Sequence, residues 1–262
     1  MKYEIIDFHT HPFTSSQNNI CNHIEHCNMS IENTITTMQN LGITTICGSV
    51  VDLTPLKENE TWWDRIRSCN DSALKLKKIY GDFYIPGFHI HPEFIEESIA
   101  EIDFMKKNGF RIIGELVPYK MGYSYYNSPE LGKLVDYATE KGMIISIHTM
   151  PDEDDLDAFL FAHPNATIIA AHPGELKRLL RNIERLKRYP NYYLDLSGSG
   201  MARHGMIKRV IDEVGANRIL FGSDFPICNP AMFLGGVLLD DLISQKDKQL
   251  ILAENAKRLL KL

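Results

Sequence analysis

The chain alternates short apolar runs with longer segments in which apolar residues recur every three or four positions. Short runs rich in β-branched residues predict buried strands, and the longer periodicity predicts helices with one inward face. The predicted strands are, in chain order, 3–8, 43–47, 84–90, 111–116, 143–147, 167–171, 192–196 and 218–221.

The segments between these strands carry helix signals. Residues 30–41, 61–80 and 93–108 show helical spacing, and Gly42 and Gly109 follow two of them as helix stops. Ser128 and Pro129 form a hydroxyl cap followed by proline, which is typical of a helix start. Residues 176–186 form a further apolar stripe, and the chain beyond 226 is mostly helical in pattern.

Eight strands that alternate with helices predict an α/β fold, a single (β/α)8 TIM barrel. Several strands are apolar on both faces, as expected of parallel strands buried between a core and a helix layer. The length of 262 residues is close to the roughly 250 residues typical of this barrel. No linker or change of composition divides the chain, so we expect one domain over residues 1–262.

Composition narrows the functional classes. The formal charge of −6, without a pronounced lysine and arginine run, argues against a nucleic-acid partner. We find no apolar stretch long enough for a membrane span and no signal-peptide core near the first residues. The five cysteines include no CxxC pair, which is typical of a reduced, cytoplasmic protein. We expect a small-molecule substrate, and the sequence leaves a homo-oligomer open.

The first predicted strand ends in two histidines that alternate with Thr10. Alternate residues of a strand point to the same face, so His9 and His11 can hold one metal ion together. The pair alone is weak evidence, because two histidines are often hydrogen-bonded in a turn.

Other strand ends carry further nitrogen and oxygen ligands. In a barrel the carboxyl ends of the strands face one cavity, where catalytic residues gather. Each of these residues alone has an ordinary structural explanation, but their joint position at one end of the barrel does not. Together with His9 and His11, the predicted site residues are Glu115, His148, His172 and Asp224.

Five motifs contain these residues: DFHTH (7–11), IIGE (112–115), ISIH (145–148), AAHPGE (170–175) and LFGSDFP (220–226). In their order and strand placement they resemble the metal-dependent amidohydrolase superfamily, in particular the amidohydrolase-related branch that also holds metal-dependent decarboxylases. The resemblance implies the barrel fold and metal chemistry more strongly than any substrate.

The resemblance also implies roles for the six residues. His9, His11 and Asp224 would hold one metal ion, and His148 would be a further ligand. His172 would bind a second ion or polarise the substrate. Where two ions are bound, the fourth strand commonly gives a carboxylated lysine or a glutamate as a bridge, whereas many single-metal members have no acid there. Glu115 therefore leaves the count at one or two ions and favours two.

Mixed histidine and carboxylate ligands suit Zn²⁺, and Mn²⁺, Fe²⁺ and Ni²⁺ accept similar sets. We expect metal-activated water to hydrolyse an amide, ester or lactone bond, with Asp224 and His172 as the catalytic residues. The alternative is non-oxidative decarboxylation of a small carboxylated substrate. A non-catalytic metal-binding barrel is a third hypothesis, which the intact ligand set disfavours.

Three secondary candidates lie near these strands. Residues 21–27 contain two cysteines and two histidines (Cys21, His23, His26, Cys27), which could form an auxiliary zinc site, although we favour a polar loop. His89 and His91 end the third strand and are either substrate contacts or structural residues. Four tyrosines in the loop after Glu115 either line a pocket or pack: Tyr119, Tyr123, Tyr125 and Tyr126.

Overall fold

Eight parallel strands form the centre of the described part of the chain, and each pairs with the next in sequence order. The computed structural model describes residues 3–14, 30–149, 153–200 and 203–262. The strands are β1 (Ile6–Asp7), β2 (Thr45–Gly48), β3 (Tyr84–Phe88), β4 (Ile112–Leu116), β5 (Ile144–His148), β6 (Thr167–Ala171), β7 (Tyr192–Asp195) and β8 (Ile219–Leu220). The predicted (β/α)8 TIM barrel is confirmed.

Helices connect the strands on the outside of the barrel. They are α1 (Ile31–Asn40), α2 (Trp62–Tyr80), α3 (Ile95–Lys107), α4 (Pro129–Glu140), α5 (Glu153–Ala162), α6 (Leu176–Arg188), α7 (Met206–Val214), α8 (Pro230–Leu238), α9 (Gln245–Gln249) and α10 (Asn255–Leu260). Among the described residues, no helix is both long and apolar enough to cross a membrane. The cluster of cysteines and histidines at residues 21–27 lies outside the described residues.

Side-chain hydroxyl groups fix the starts of several helices. The hydroxyl of Ser30 accepts the backbone N–H of Asn33, and that of Ser128 accepts the backbone N–H of Leu131. Each bond satisfies one of the N–H groups that a helix leaves free in its first turn. The predicted start at Ser128 and Pro129 is therefore confirmed.

The strands are buried on both faces. Inward-facing residues such as Ile6, Cys47, Ile144 and Leu220 pack into one apolar cluster that fills the barrel. A second, larger cluster lies between the sheet and the helices. Burial on both faces explains the nearly continuous apolar character of the strand sequences.

The first and last strands meet and bring the sheet close to a closed barrel. The backbone N–H of Phe8 donates to Phe221 O at 2.8 Å, and Thr10 forms a parallel bridge with Phe225. Asn255 of α10 donates to the carbonyl oxygens of Ala216 and Ile219 and so ties the C-terminal helix to β8. The carboxyl ends of β1 and β8 are therefore neighbours.

Candidate metal centre

The six predicted site residues converge at the carboxyl end of the barrel. Nε2 of His9 lies 3.2 Å from Nε2 of His11. Oδ1 of Asp224 lies 3.6 Å from the first of these nitrogens and 3.5 Å from the second. Oε2 of Glu115 faces the same pair, at 3.8 Å and 3.6 Å. Four side chains thus point their ligand atoms at one small volume.

The other oxygen of Glu115 faces a second set of ligand atoms. Oε1 lies 3.0 Å from Nδ1 of His148 and 3.3 Å from Nε2 of His172. The two imidazole rings are in contact, with centroids 4.5 Å apart. Glu115 therefore stands between two groups of histidines, with one carboxylate oxygen turned toward each.

An irregularity in β4 turns Glu115 into the cavity. Ile113 pairs with Ile145, but Leu116 pairs with Ile147, so β4 contains one residue more than β5 over this stretch. Strict alternation from the inward-facing Ile112 would place Glu115 on the outer face of the sheet. The extra residue therefore brings the carboxylate inside.

Gly114 makes this course of the backbone possible. Its φ is +99°, and a Cβ atom added there would lie 2.2 Å from the carbonyl oxygen of Ser146. Only glycine fits so close to the neighbouring strand with that backbone conformation.

Two site residues adopt the left-handed backbone region. The φ angles of His172 and Asp224 are +60° and +64°. Residues other than glycine rarely take this conformation, and such strain is found at functional sites, where surrounding structure holds it. The strand ends at these two positions are thus shaped to aim a side chain.

The far nitrogens of the ligand histidines are held by fixed partners. Nδ1 of His9 donates to Asp195 Oδ2 at 2.9 Å. The other oxygen of Asp195 accepts the hydroxyl of Ser197, which also lies 3.1 Å from Nδ1 of His172. Nδ1 of His11 donates to Ser49 O at 3.2 Å. These contacts orient Nε2 of each ring toward the cavity, as is usual around metal sites.

The charges of the centre favour a cation. Burial lowers the pKa of His9, but the surrounding carboxylates of Asp195, Glu115 and Asp224 outweigh it and raise this pKa to about 10. Burial raises the pKa of Glu115, but His9 and His148 outweigh it and hold this pKa well below its usual range. The carboxylate of Glu115 therefore stays ionised, and this negative charge favours a cation in the cavity.

A buried carboxylate oxygen of the centre lacks a hydrogen bond. Oδ1 of Asp224 has no hydrogen-bond partner among the described residues, although the side chain is almost wholly buried. A buried carboxylate oxygen is costly unless a donor or a cation satisfies it. Three groups of ligand atoms in this cavity are close enough to hold an ion: His9, His11 and Glu115; His9, His172 and Asp224; and Glu115, His148 and His172. The residues present fit a divalent metal.

His89 and His91 make structural contacts. Nε2 of His89 lies 2.9 Å from Val50 O, and Nε2 of His91 lies 2.7 Å from Met121 O. Both side chains are buried, and neither belongs to the three groups of ligand atoms that could hold an ion.

Asp195 and Ser197 were not among the predicted site residues. The position of Asp195 could have indicated a site residue, because Asp195 ends β7 in the same way that the predicted ligands end their strands. What the sequence did not show is that its carboxylate would meet His9 and act as an orienting partner.

Two tyrosines that follow β4 contact His148. The hydroxyl of Tyr119 lies 3.3 Å from Nε2 of His148, and the residue is 54% exposed. The hydroxyl of Tyr126 is buried and is shared between the carbonyl oxygens of Leu116 and His148, at 2.8 Å and 2.7 Å. Tyr126 thus holds the backbone at the end of β5, and Tyr119 holds the ring.

A comparison with known families identifies the family of the chain. A family model described as amidohydrolase matches residues 6–262. The chain belongs to the amidohydrolase family. No curated protein matches the chain significantly in sequence.

Solved structures share the fold of this amidohydrolase-family protein. It is similar to 2,6-dihydroxybenzoate decarboxylase from Rhizobium, with 17% identity and a TM-score of 0.74 over 99% of each chain. A dihydroxybenzoic acid decarboxylase from Polaromonas, solved with manganese and the inhibitor 2-nitroresorcinol, is 16% identical, with a TM-score of 0.74 over 99% of this chain and 97% of that chain.

A third structure carries a different activity in its name. A probable 2-pyrone-4,6-dicarboxylic acid hydrolase from Acinetobacter baumannii, with citric acid bound, is 15% identical, with a TM-score of 0.66 over 100% of each chain. At these identities the three similarities establish the barrel fold, and the reaction has to be argued from the site.

Proposed function

We propose that the protein is a metal-dependent hydrolase that cleaves an amide, ester or lactone bond of a small molecule, with residues 1–262 as one catalytic domain. The observation that carries this proposal is the position of Glu115 between two sets of ligand atoms. Oε2 faces Nε2 of His11 at 3.6 Å, and Oε1 faces Nδ1 of His148 at 3.0 Å. A carboxylate so placed suits a bridge between two ions.

The ligand sets follow from these contacts. His9, His11 and Asp224 would hold one ion, His148 and His172 the second, and Glu115 both. Such mixed imidazole and carboxylate ligands suit Zn²⁺, which we expect, and they also suit Mn²⁺. The manganese in the Polaromonas decarboxylase supports the second choice.

Each catalytic residue then has a definite task. A divalent ion held by these residues would lower the pKa of bound water from about 15.7 towards about 7 and would polarise the oxygen of the bond to be cleaved. Asp224 takes the proton of the attacking water and passes it to the leaving group. His172, held at Nδ1 by Ser197, completes the second ligand set.

Decarboxylation is a second candidate, and the two decarboxylases named above support it. The same cluster can orient a carboxylated aromatic substrate around one ion. A single ion, however, leaves the contacts of Glu115 with His148 and His172 without a use in binding it. We therefore place hydrolysis first.

The metal stoichiometry tests the proposal directly. Wild-type protein and the Glu115→Gln variant are saturated with Zn²⁺, and separately with Mn²⁺, and analysed for metal per chain. We expect two ions in the wild type and fewer in the variant, because an amide is a poor bridging ligand. The exposed acid at the start of α4 provides a control variant, Glu130→Gln, which should bind as the wild type does. One ion per chain in all three proteins would contradict the proposal.

The products separate the two reactions. Hydrolysis is measured with p-nitrophenyl acetate, a lactone and an N-acyl amino acid, and decarboxylation by release of CO₂ from 2,6-dihydroxybenzoate. Metal-dependent release of CO₂ without hydrolysis of any of the other three would establish the second candidate.

A further inference from the structure

Both ring nitrogens of His148 have a partner, and the two partners differ. Nδ1 lies 3.0 Å from Oε1 of Glu115, and Nε2 lies 3.3 Å from the hydroxyl of Tyr119. Tyr119 belongs to the short 3₁₀ turn Pro118–Lys120, directly after β4. One side of the ring therefore faces the candidate ligands, and the other faces a tyrosine.

Tyr119 differs from the partners of the other ligand histidines in its exposure. His9 is held by Asp195, His172 by Ser197 and His11 by the carbonyl oxygen of Ser49, and these three partners are fully buried. Tyr119 is 54% exposed. Among the described partners of the ligand histidines, it is thus the one that a substrate at the barrel mouth can touch.

A neutral imidazole carries a single ring proton, so two arrangements fit these contacts. In the first, Nδ1–H donates to Glu115, and Nε2 accepts the proton of Tyr119. In the second, Nδ1 has a free lone pair, and Nε2–H donates to the oxygen of Tyr119. A cation ligand at Nδ1 has to be the second arrangement, because coordination needs an unprotonated nitrogen.

The two arrangements leave the hydroxyl of Tyr119 in different states. In the first, its hydrogen is used in the bond to His148. In the second, its oxygen accepts from His148, and its hydrogen is free for another acceptor. Since Tyr119 is 54% exposed and its oxygen lies 3.3 Å from a candidate ligand, that acceptor can be a group of a bound substrate.

We propose that Tyr119 is a substrate-binding residue whose hydroxyl hydrogen becomes available when His148 takes the tautomer that serves as a cation ligand. Its partner is an oxygen of the substrate, the carbonyl oxygen of an ester, amide or lactone, which gains negative charge as water adds to it. This inference rests on the proposed hydrolase function. It assigns Tyr119 two roles: it orients His148, and it donates a hydrogen bond to the reacting group.

The tautomer of His148 is measured without any substrate. ¹⁵N-edited NMR spectra of the histidine rings are recorded while Zn²⁺ is added, and the His148 signals are identified by their loss in the His148→Gln variant. We expect the proton to leave Nδ1 and appear on Nε2 as Zn²⁺ saturates the protein. A proton that stays on Nδ1 at saturation would overturn the proposal.

The substrate contact is measured with Tyr119→Phe at saturating Zn²⁺, with p-nitrophenyl acetate as substrate. Loss of a hydrogen bond that is made mainly in the transition state lowers kcat and leaves KM unchanged, and loss of one such donor typically costs about 10²-fold or more in kcat. Tyr125→Phe is the matched control, since Tyr125 is an equally exposed tyrosine in the loop between β4 and α4 (58%). We expect it to retain wild-type kinetics.

A purely orienting role gives a different result. Loss of an orienting partner weakens metal binding by about 10–100-fold, and excess Zn²⁺ then restores activity. Full recovery of kcat in Tyr119→Phe at high Zn²⁺ would therefore overturn the donor role. A wild type that does not cleave p-nitrophenyl acetate counts against the proposed function for this ester, and the tautomer measurement then decides the proposal alone.

Discussion

Asp195 accepts the Nδ1 hydrogen of His9 across 2.9 Å, although 186 residues separate the two in the chain. This bond fixes both the tautomer of His9 and the direction of its Nε2. In Asp195→Asn the amide can present its NH₂ group to Nδ1, which removes that control. We expect metal affinity to fall by about 10–100-fold, the usual effect of losing such a partner.

A second histidine–aspartate pair on the outside of the barrel provides the control. Asp136 of α4 lies 2.7 Å from Nδ1 of His163, and its side chain is 67% exposed. Isothermal titration with Zn²⁺ should give the same affinity for Asp136→Asn as for the wild type. Equal affinities for all three proteins would show that Asp195 does not orient a ligand.

The second prediction concerns Asp224. The Asp224→Asn variant should fold normally and lose activity, because an amide cannot take the proton of the attacking water. General acid–base groups typically contribute about 10²–10⁴-fold to the rate. Turnover is compared with Asp212→Asn, which removes an exposed carboxylate paired with Lys208 on α7. Near-normal kcat in Asp224→Asn, with circular dichroism unchanged, would exclude Asp224 as the proton carrier.

The third prediction tests the close approach at Gly114. In Gly114→Ala the new methyl group meets the carbonyl oxygen of Ser146, at a backbone φ of +99°. We expect a loss of about 1–3 kcal/mol in the free energy of unfolding, the cost of such backbone strain, together with weaker metal binding as Glu115 shifts.

Gly235 of α8 provides the control substitution for Gly114→Ala. A Cβ atom there meets nothing within 4 Å. Gly235→Ala should stabilise the protein by up to about 1 kcal/mol, because alanine is the better helix former. Urea unfolding of both variants gives the comparison, and equal stabilities would contradict the argument from geometry.

The fourth prediction concerns removal of metal. Anything that binds the folded state alone stabilises it, by about 2.7 kcal/mol at a concentration one hundred times the Kd. For a protein of this size that corresponds to roughly 5–10 °C in melting temperature. Treatment with a chelator should lower the melting temperature by this amount and abolish activity, and Zn²⁺ or Mn²⁺ should restore both. Calcium serves as the control, since this nitrogen-rich site suits it poorly. A melting temperature that the chelator leaves unchanged would argue against a bound ion.

Much of the architecture could be predicted because the spacing of apolar residues and the number of apolar runs can be read directly from the sequence. β6 begins and ends where the apolar run predicted, at Thr167 and Ala171. β1 is shorter than predicted, since only Ile6 and Asp7 have strand hydrogen bonding. Strand bounds depend on the neighbouring strand, and a single sequence does not contain that information.

The candidate site residues could also be predicted from the sequence, because a barrel gathers the carboxyl ends of its strands in one place. The distances and orientations among their side chains could not be predicted. Alternation in β4 predicts that Glu115 faces outward, and only the extra residue between Ile113 and Leu116 reverses it. The contact of Tyr119 with His148 depends on the turn that follows. Such irregularities follow from packing between strands, which no local pattern encodes.

The seam between β1 and β8 has a thermodynamic consequence. His9 and Asp224 come from opposite ends of the barrel sequence, and the backbone N–H of Asp224 donates to His9 O at 2.8 Å. Closing so long a loop carries a large entropic cost. A cation held by side chains from both strands would bind only after closure, so its binding free energy would add to the stability of the seam. Metal binding and barrel closure would then be linked equilibria, and each would favour the other.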